Sequence, residues 1–81
     1  MGEIVVESGI PRARLIAYFA EAASNREENC FRGDGWQVQV DAEQVVYMGA
    51  LAITRTKLRI SGANSGRILA DYRLRFLSAG G

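Results

Sequence analysis

The chain has 81 residues, which is enough for one domain, residues 1–81, with a modest core. Its one cysteine cannot form an internal disulfide, and the lack of histidine excludes catalytic triads, imidazole bases and histidine-bound metals. We therefore expect a non-enzymatic, cytoplasmic domain without a cofactor or a metal ion. The N-terminus lacks the pattern of a signal peptide and apolar runs span only a few residues, so no membrane contact is expected.

The net charge of +1 is distributed unevenly along the chain. Residues 1–50 contain four arginines and eight acidic residues, which gives a local charge of −4. Residues 51–81 contain five arginines and one lysine against a single acid, Asp71, which gives a local charge of +5. This asymmetry predicts a dipolar molecule whose halves meet different partners or each other's counterparts in a dimer.

The first predicted elements are a strand and a helix. Residues 3–7 place apolar side chains on both faces, which is typical of a covered strand. Residues 8–11 end this strand with Pro11, which is tolerated in a first helical turn. Residues 12–23 are rich in strong helix formers and carry one apolar stripe at helical spacing. The stripe contains Leu15, Tyr18, Phe19 and Ala22. The helix is expected to fray over residues 24–29.

The middle of the chain predicts short strands separated by turns. Residues 30–35 contain two glycines and indicate a turn, whereas residues 36–40 alternate as a half-buried strand. Residues 41–44 are expected to turn the chain before a strand at residues 45–48. Gly49 permits a bend after that strand.

Residues 54–60 are the clearest strand in the sequence, because apolar and basic side chains alternate strictly. One side carries Thr54, Thr56, Leu58 and Ile60, and the other carries Arg55, Lys57 and Arg59. Leu51 and Ile53 are out of phase with this pattern. A bulge near Thr54 would place them on the same face as Leu58 and Ile60.

Residues 67–77 allow two interpretations. As a strand folded back after the Gly/Asn/Ser loop, the segment sets Lys57 near Asp71 and Arg55 near Arg73, and this interpretation is favoured by its alternating apolar residues. Those residues are Ile68, Ala70, Tyr72, Leu74 and Phe76. As a helix beginning near Ser65 and capped by Gly80, it has an apolar stripe too. That stripe contains Ile68, Leu69, Tyr72, Phe76 and Leu77. The order is therefore β-α-β-β-β-β, with the last element possibly a helix.

The predicted fold class is α+β, a small antiparallel sheet with one main helix packed on one face. Its basic sheet face, over residues 55–75, is the expected ligand surface. The candidate binding residues are Arg55, Lys57, Arg59, Arg67, Arg73 and Arg75, together with Trp36. Basic side chains on a sheet can follow the phosphates of a nucleic acid. The same pattern also fits outward residues that only keep a sheet edge in solution.

Trp36 follows Gly35 at the start of a predicted strand. It is expected to anchor the core, or alternatively to offer a stacking platform for a base or a flat ligand.

The last two residues, Gly80 and Gly81, resemble the tail of ubiquitin-like sulfur carriers and modifiers. In those proteins a flexible diglycine carboxylate is adenylated and then thiocarboxylated or conjugated. The resemblance covers these two residues, and an ending by chance is the alternative, since glycine is common in this chain. Beta-grasp domains also run hairpin, helix and further strands, whereas here a single strand precedes the helix.

The preferred interpretation is an interaction module whose partner is another protein or a second copy of the chain, since small sheets with open edges often pair with themselves. The alternatives are a nucleic-acid-binding domain acting through the basic face and a small carrier acting through Gly80 and Gly81.

Overall fold

The computed structural model describes residues 2–76, and Leu77, Gly80 and Gly81 lie outside them. The elements in chain order are β1 (Ile4–Ser8), α1 (Arg12–Ala22), β2 (Asn25–Glu27), β3 (Cys30–Gly33), β4 (Trp36–Met48), β5 (Leu51–Ser61) and α2 (Ser65–Phe76). The five strands form one antiparallel sheet in the order β1-β5-β4-β3-β2. The predicted α+β class and antiparallel sheet are confirmed.

The core lies on one face of this sheet, and both helices cover that face. Directly opposed residues of antiparallel strands share a face. Ile4 lies opposite Ile60, and Val40 lies opposite Leu58, so these side chains all point to the core side of the sheet. The aromatic ring of Phe19 on α1 lies 6.3 Å from the rings of Phe31 on β3 and Tyr72 on α2. The buried apolar residues are Leu15, Phe19, Phe31, Val38, Val40, Leu58, Ile60, Ile68, Tyr72 and Phe76.

Helix α1 is where the sequence places it. Leu15 and Phe19, four residues apart, are both fully buried. Pro11 stands at the N-cap without a side-chain cap, and the backbone N–H of Arg12 donates instead to Glu43 Oε2 on β4 at 3.2 Å. A tertiary contact therefore satisfies one of the N–H groups that a helix start leaves unpaired.

The favoured strand interpretation of residues 67–77 is wrong, and the helix interpretation is correct. Ile68, Tyr72 and Phe76 are buried at a spacing of four, whereas Leu74 is 68% exposed. The physical reason is that β5 over Thr56–Ile60, where the predicted hairpin would begin, already has β1 and β4 on its two sides, so no edge is left there for another strand. The predicted neighbours Lys57–Asp71 and Arg55–Arg73 therefore do not form.

Asn64 fixes the start of α2 against the turn between β3 and β4. Its backbone N–H donates to the carbonyl of Gly35 at 2.6 Å, and its side-chain Nδ2 donates to the carbonyl of Asp34 at 3.0 Å. Its own carbonyl accepts from the N–H groups of Arg67 and Ile68. The loop that the sequence indicates before this element thus connects strand β5 to a helix.

The predicted fraying of residues 24–29 is wrong, and the predicted turn at residues 30–35 is correct only for Asp34 and Gly35, because residues 30–33 form strand β3. The segment forms a short hairpin of β2 and β3, in which Glu28 adopts a φ of 52°. The backbone N–H of Val40 donates to the carbonyl of Asn29 at 2.8 Å, where the hairpin reaches β4. Local sequence gave little sign of this hairpin because β2 is exposed throughout.

The predicted turn at residues 41–44 is also wrong, because β4 runs unbroken through it. The register shifts between Val40 and Glu43, so the bulge lies in β4 and not near Thr54 of β5. Arg12 supports it by donating from Nε to the carbonyl of Asp41 at 2.9 Å. Gly49 lies in the turn that joins β4 to β5, with a φ of 64°.

Candidate interaction surfaces

The sheet face that the helices leave uncovered is called here the outer face. It carries Val5 and Glu7 on β1, Lys57 and Arg59 on β5, Gln37 and Gln39 on β4, and Arg32 on β3, as the strand registers require. Val5 is 53% exposed, and both basic side chains of β5 are exposed as well. A protein or nucleic acid could reach this face without displacing a helix.

The six predicted basic residues do not form one surface, which corrects the prediction of a single basic sheet face. Lys57 and Arg59 lie on the outer face, and Arg55 follows in the same phase of β5. The other three belong to α2, on the opposite side of the sheet. These are Arg67, Arg73 and Arg75, all exposed.

Acidic side chains accompany the basic residues of the outer face. Arg59 Nε lies 3.2 Å from Asp41 Oδ2, with about half of the arginine side chain exposed. Glu7 stands directly opposite Lys57 in the pairing of β1 with β5. More generally, β5 from the basic half of the chain lies between β1 and β4 from the acidic half. The acidic and basic parts of the sequence therefore lie next to each other in the fold, and the outer face is not strongly basic.

The most apolar exposed surface is a projecting hairpin, residues 43–55, called here the β4–β5 arm. Beyond the bulge, these parts of β4 and β5 pair with each other, and no other strand of residues 2–76 pairs with them. Its exposed large apolar side chains are Val45, Val46, Tyr47, Met48 and Leu51, between 40% and 76% accessible. Sequence reasoning missed the arm, although its signal was present as apolar residues on both faces of a hairpin.

Trp36 is half-buried and packs against the core as one of its two predicted roles requires. Its indole lies over Gly33, where a Cβ atom would come within 2.1 Å of the ring, and its ring centroid is 6.5 Å from that of Phe19. Trp36 also borders a cavity of about 300 Å³ at the start of α2. The cavity is lined by Ala22, Asp34, Trp36, Asn64, Arg67, Ile68 and Asp71.

Tyr18 marks the contact between the two helices. Its ring lies 5.0 Å from that of Phe19 and 5.3 Å from that of Phe76, both in edge-to-face geometry. Burial, and to a lesser degree the charge of Asp71, raise the pKa of the Tyr18 phenol above its ordinary value, while Arg75 acts in the opposite direction.

Two further findings concern residues 2–76 only. No group of three or more Cys, Asp or Glu side chains there has an arrangement that could hold a metal ion. Neither helix is long and apolar enough to cross a membrane.

These features define a small α+β domain with an uncovered sheet face and a projecting hairpin, a form compatible with the MoaD-like fold. The family model described as archaeal MoaD-like protein matches residues 5–81, and the chain therefore belongs to this family. Small domains of this kind commonly interact with other proteins. A comparison with curated proteins gave no match.

Proposed function

We propose that this chain is a small carrier-type protein of the ubiquitin-like class, which acts by docking on other proteins and catalyses no reaction itself. The observation that carries the proposal is the family match, which extends over residues 5–81 and thus includes Gly80 and Gly81. The carried group would be attached at the carboxylate of Gly81, as the resemblance of the diglycine to sulfur carriers implies. A cytoplasmic location is part of the same proposal.

The outer face is the docking surface in this proposal. Neither helix of residues 2–76 covers it, and it mixes apolar Val5 with the cross-strand neighbours Glu7 and Lys57 and the ion pair Asp41–Arg59. Such a pattern favours a protein partner over a nucleic acid, because phosphate contacts depend on several uncompensated basic side chains. With Arg67, Arg73 and Arg75 on the other side of the molecule, the alternative of a nucleic-acid interface on one basic face loses half of its residues.

The test is to follow the mass of the chain when it is purified from its native host and when it is incubated with ATP and host extract. The carrier role requires that the native chain ends in a free Gly81 carboxylate, so the intact mass is the first check. ATP should convert the Gly81 carboxylate to an acyl adenylate with release of pyrophosphate. Displacement of AMP by sulfur from a donor in the extract then gives a thiocarboxylate, and displacement by an amine of another protein gives a conjugate. Deletion of Gly80 and Gly81 should abolish both products while the circular dichroism spectrum stays the same.

A matched variant separates the tail from the docking surface. Lys57→Glu and Arg59→Glu together should leave the tail intact but reduce the yield of modified protein, because the partner no longer recognises the outer face. Arg73→Glu and Arg75→Glu on α2 make the same charge change elsewhere and should keep the yield. If the tail deletion does not alter the products, the carrier role is wrong; if the two charge variants behave alike, the outer face is not the docking surface.

A further inference from the structure

The edge of β4 beyond its bulge lacks a neighbouring strand within residues 2–76. Strand β3 pairs with β4 only as far as Cys30 opposite Gln39. Arg12 then occupies this edge, donating to the carbonyls of Val40 and Asp41 at 3.4 and 2.9 Å. From Glu43 to Met48, β4 pairs on one side with β5 and on the other side with no strand of the described chain. Backbone donors and acceptors on that side are a template for a further strand.

The side chains of this edge do not discourage pairing. Residues 45–48 are Val, Val, Tyr and Met, with exposed fractions of 54%, 40%, 76% and 59%. Proteins usually protect an open edge with charge, proline or a covering element, and a short uncharged run rich in β-forming residues is prone to pair. A hairpin of two strands is also only marginally stable alone in water. The β4–β5 arm is therefore expected to gain stability from a partner.

The opposite edge of the arm, on β5, is less suited to this role. It carries Thr54 and the charged Arg55 close to the point where β1 begins to pair at Thr56. The only charged residue of β4 between Glu43 and Met48 is Glu43, at the end of the run. The β4 edge thus offers the longer uncharged stretch.

We propose that a second copy of this chain pairs antiparallel along the β4 edge, about a twofold axis at Val46. In this register Val45 lies opposite the partner's Tyr47, so two apolar side chains meet. Gln44 lies opposite the partner's Met48, and the aliphatic part of the glutamine side chain packs on the methionine. Pairing about a twofold axis requires a segment that is complementary to itself, and these two pairs meet that requirement.

The charges of two copies are compatible with this register. Glu43 lies opposite the partner's Gly49, and the two Glu43 carboxylates are separated by six residue positions, or about 20 Å along the strands. That distance exceeds the screening length of about 8–10 Å at ordinary ionic strength, so their repulsion is small. No other like charges face each other between Glu43 and Met48.

The space beside β4 also fits a second arm. Asn29, at the end of the β2–β3 hairpin, reaches β4 at the level of Val40, where its carbonyl accepts from the Val40 N–H. In this register the partner's Gly49 lies at the level of Glu43, so the Arg12 side chain and the hairpin end, at Val40 and Asp41, mark the limit of the pairing. The partner's sheet then lies beyond the tip of the first arm, and the two arms form one four-stranded ribbon.

This inference goes beyond the carrier role and does not depend on it, because it uses neither the outer face nor Gly80 and Gly81. The test measures the mass of the full chain in solution by sedimentation from micromolar to millimolar concentration. The native chain should pass from the monomer mass of 8.9 kDa to twice that value. The double variant Val45→Lys/Tyr47→Lys sets like charges opposite each other twice and should weaken the dimer at least about tenfold.

The charge-swapped variant Val45→Lys/Tyr47→Glu is the decisive control. It removes the same two apolar side chains, but in the proposed register each lysine faces a glutamate of the other copy, so its dimer should be stronger than that of the double-lysine variant. Leu74→Lys replaces an exposed apolar residue on α2 and should leave the dimer unchanged. Circular dichroism of each variant shows whether the fold is kept. A native chain that stays monomeric, or two arm variants with equal dimer strength, would overturn the proposal.

Discussion

The part of the sheet under the helices and the β4–β5 arm are built from the same two strands, yet they differ in what covers them. On β5, Thr56, Leu58 and Ile60 are fully buried, whereas Leu51 is 66% exposed. Both segments are rich in β-forming residues. The difference lies in α1 and α2, which extend over the first segment and not over the second. An apolar strand residue is therefore a core residue only where another layer reaches it.

The covered and the uncovered parts of β4 meet at the bulge. At the bulge, Arg12 from the start of α1 binds the carbonyls of Val40 and Asp41, and Glu43 accepts the backbone N–H of Arg12 in return. These reciprocal contacts fasten the helix to the last residues of β4 that it covers. Beyond them, β4 and β5 continue with only each other as neighbours in the described chain.

The largest expected difference between the two regions is in the cost of removing an aromatic ring. Phe19→Ala should lower the free energy of unfolding by about 3–5 kcal/mol, because Phe19 is fully buried among Phe31, Trp36 and Tyr72. Tyr47→Ala in the arm should change it by no more than about 0.5 kcal/mol in dilute solution, since Tyr47 is 76% exposed. Urea denaturation measures both, and comparable losses would show that the arm is part of the cooperative core.

A second comparison uses two glycines with positive φ. At Gly62, with a φ of 108°, an added Cβ would lie 2.5 Å from the carbonyl oxygen of Gly35, so Gly62→Ala should cost about 3 kcal/mol or more. At Gly49, with a φ of 64°, no atom of the described chain lies within 4 Å of that position, so Gly49→Ala should cost only about 1–2 kcal/mol of backbone strain. Thermal unfolding of the two variants should rank them in this order. If Gly49→Ala were the less stable variant, the closer contact would lie at Gly49, in the turn of the arm.

The smallest expected effect is on the pH dependence of the free energy of unfolding, and it arises in the helix-covered region alone. The pKa of Tyr18 is raised in the folded protein, so the unfolded chain ionises first as the pH rises through about 10. The contribution of Tyr18 to the free energy of unfolding is therefore complete below that pH and is lost above it. Tyr18→Phe should make the alkaline fall in stability shallower, as measured by urea denaturation at several pH values. An unchanged slope would mean that burial does not perturb this phenol.

The sequence alone determined those elements whose side-chain pattern is strong and local. Helix α1 follows from its helix formers and the spacing of Leu15 and Phe19, and the inward face of Thr56–Ile60 follows from strict alternation. The α+β class, the antiparallel sheet and the half-buried position of Trp36 followed from the same patterns. The diglycine at residues 80–81 was visible as well, and it lies within the stretch that the family model matches.

The tertiary structure decided what local patterns left open. Residues 65–76 satisfied both periodicities, and the choice fell to the helix because β1 and β4 already flank β5 while the inner sheet face needs a cover. The bulge at residues 40–43 depends on Arg12, almost thirty positions earlier, and no local signal could place it. The same holds for the arm, because its apolar residues are exposed only where the two helices do not extend over them. Burial is a property of the layers that meet, so it cannot be read from one strand alone.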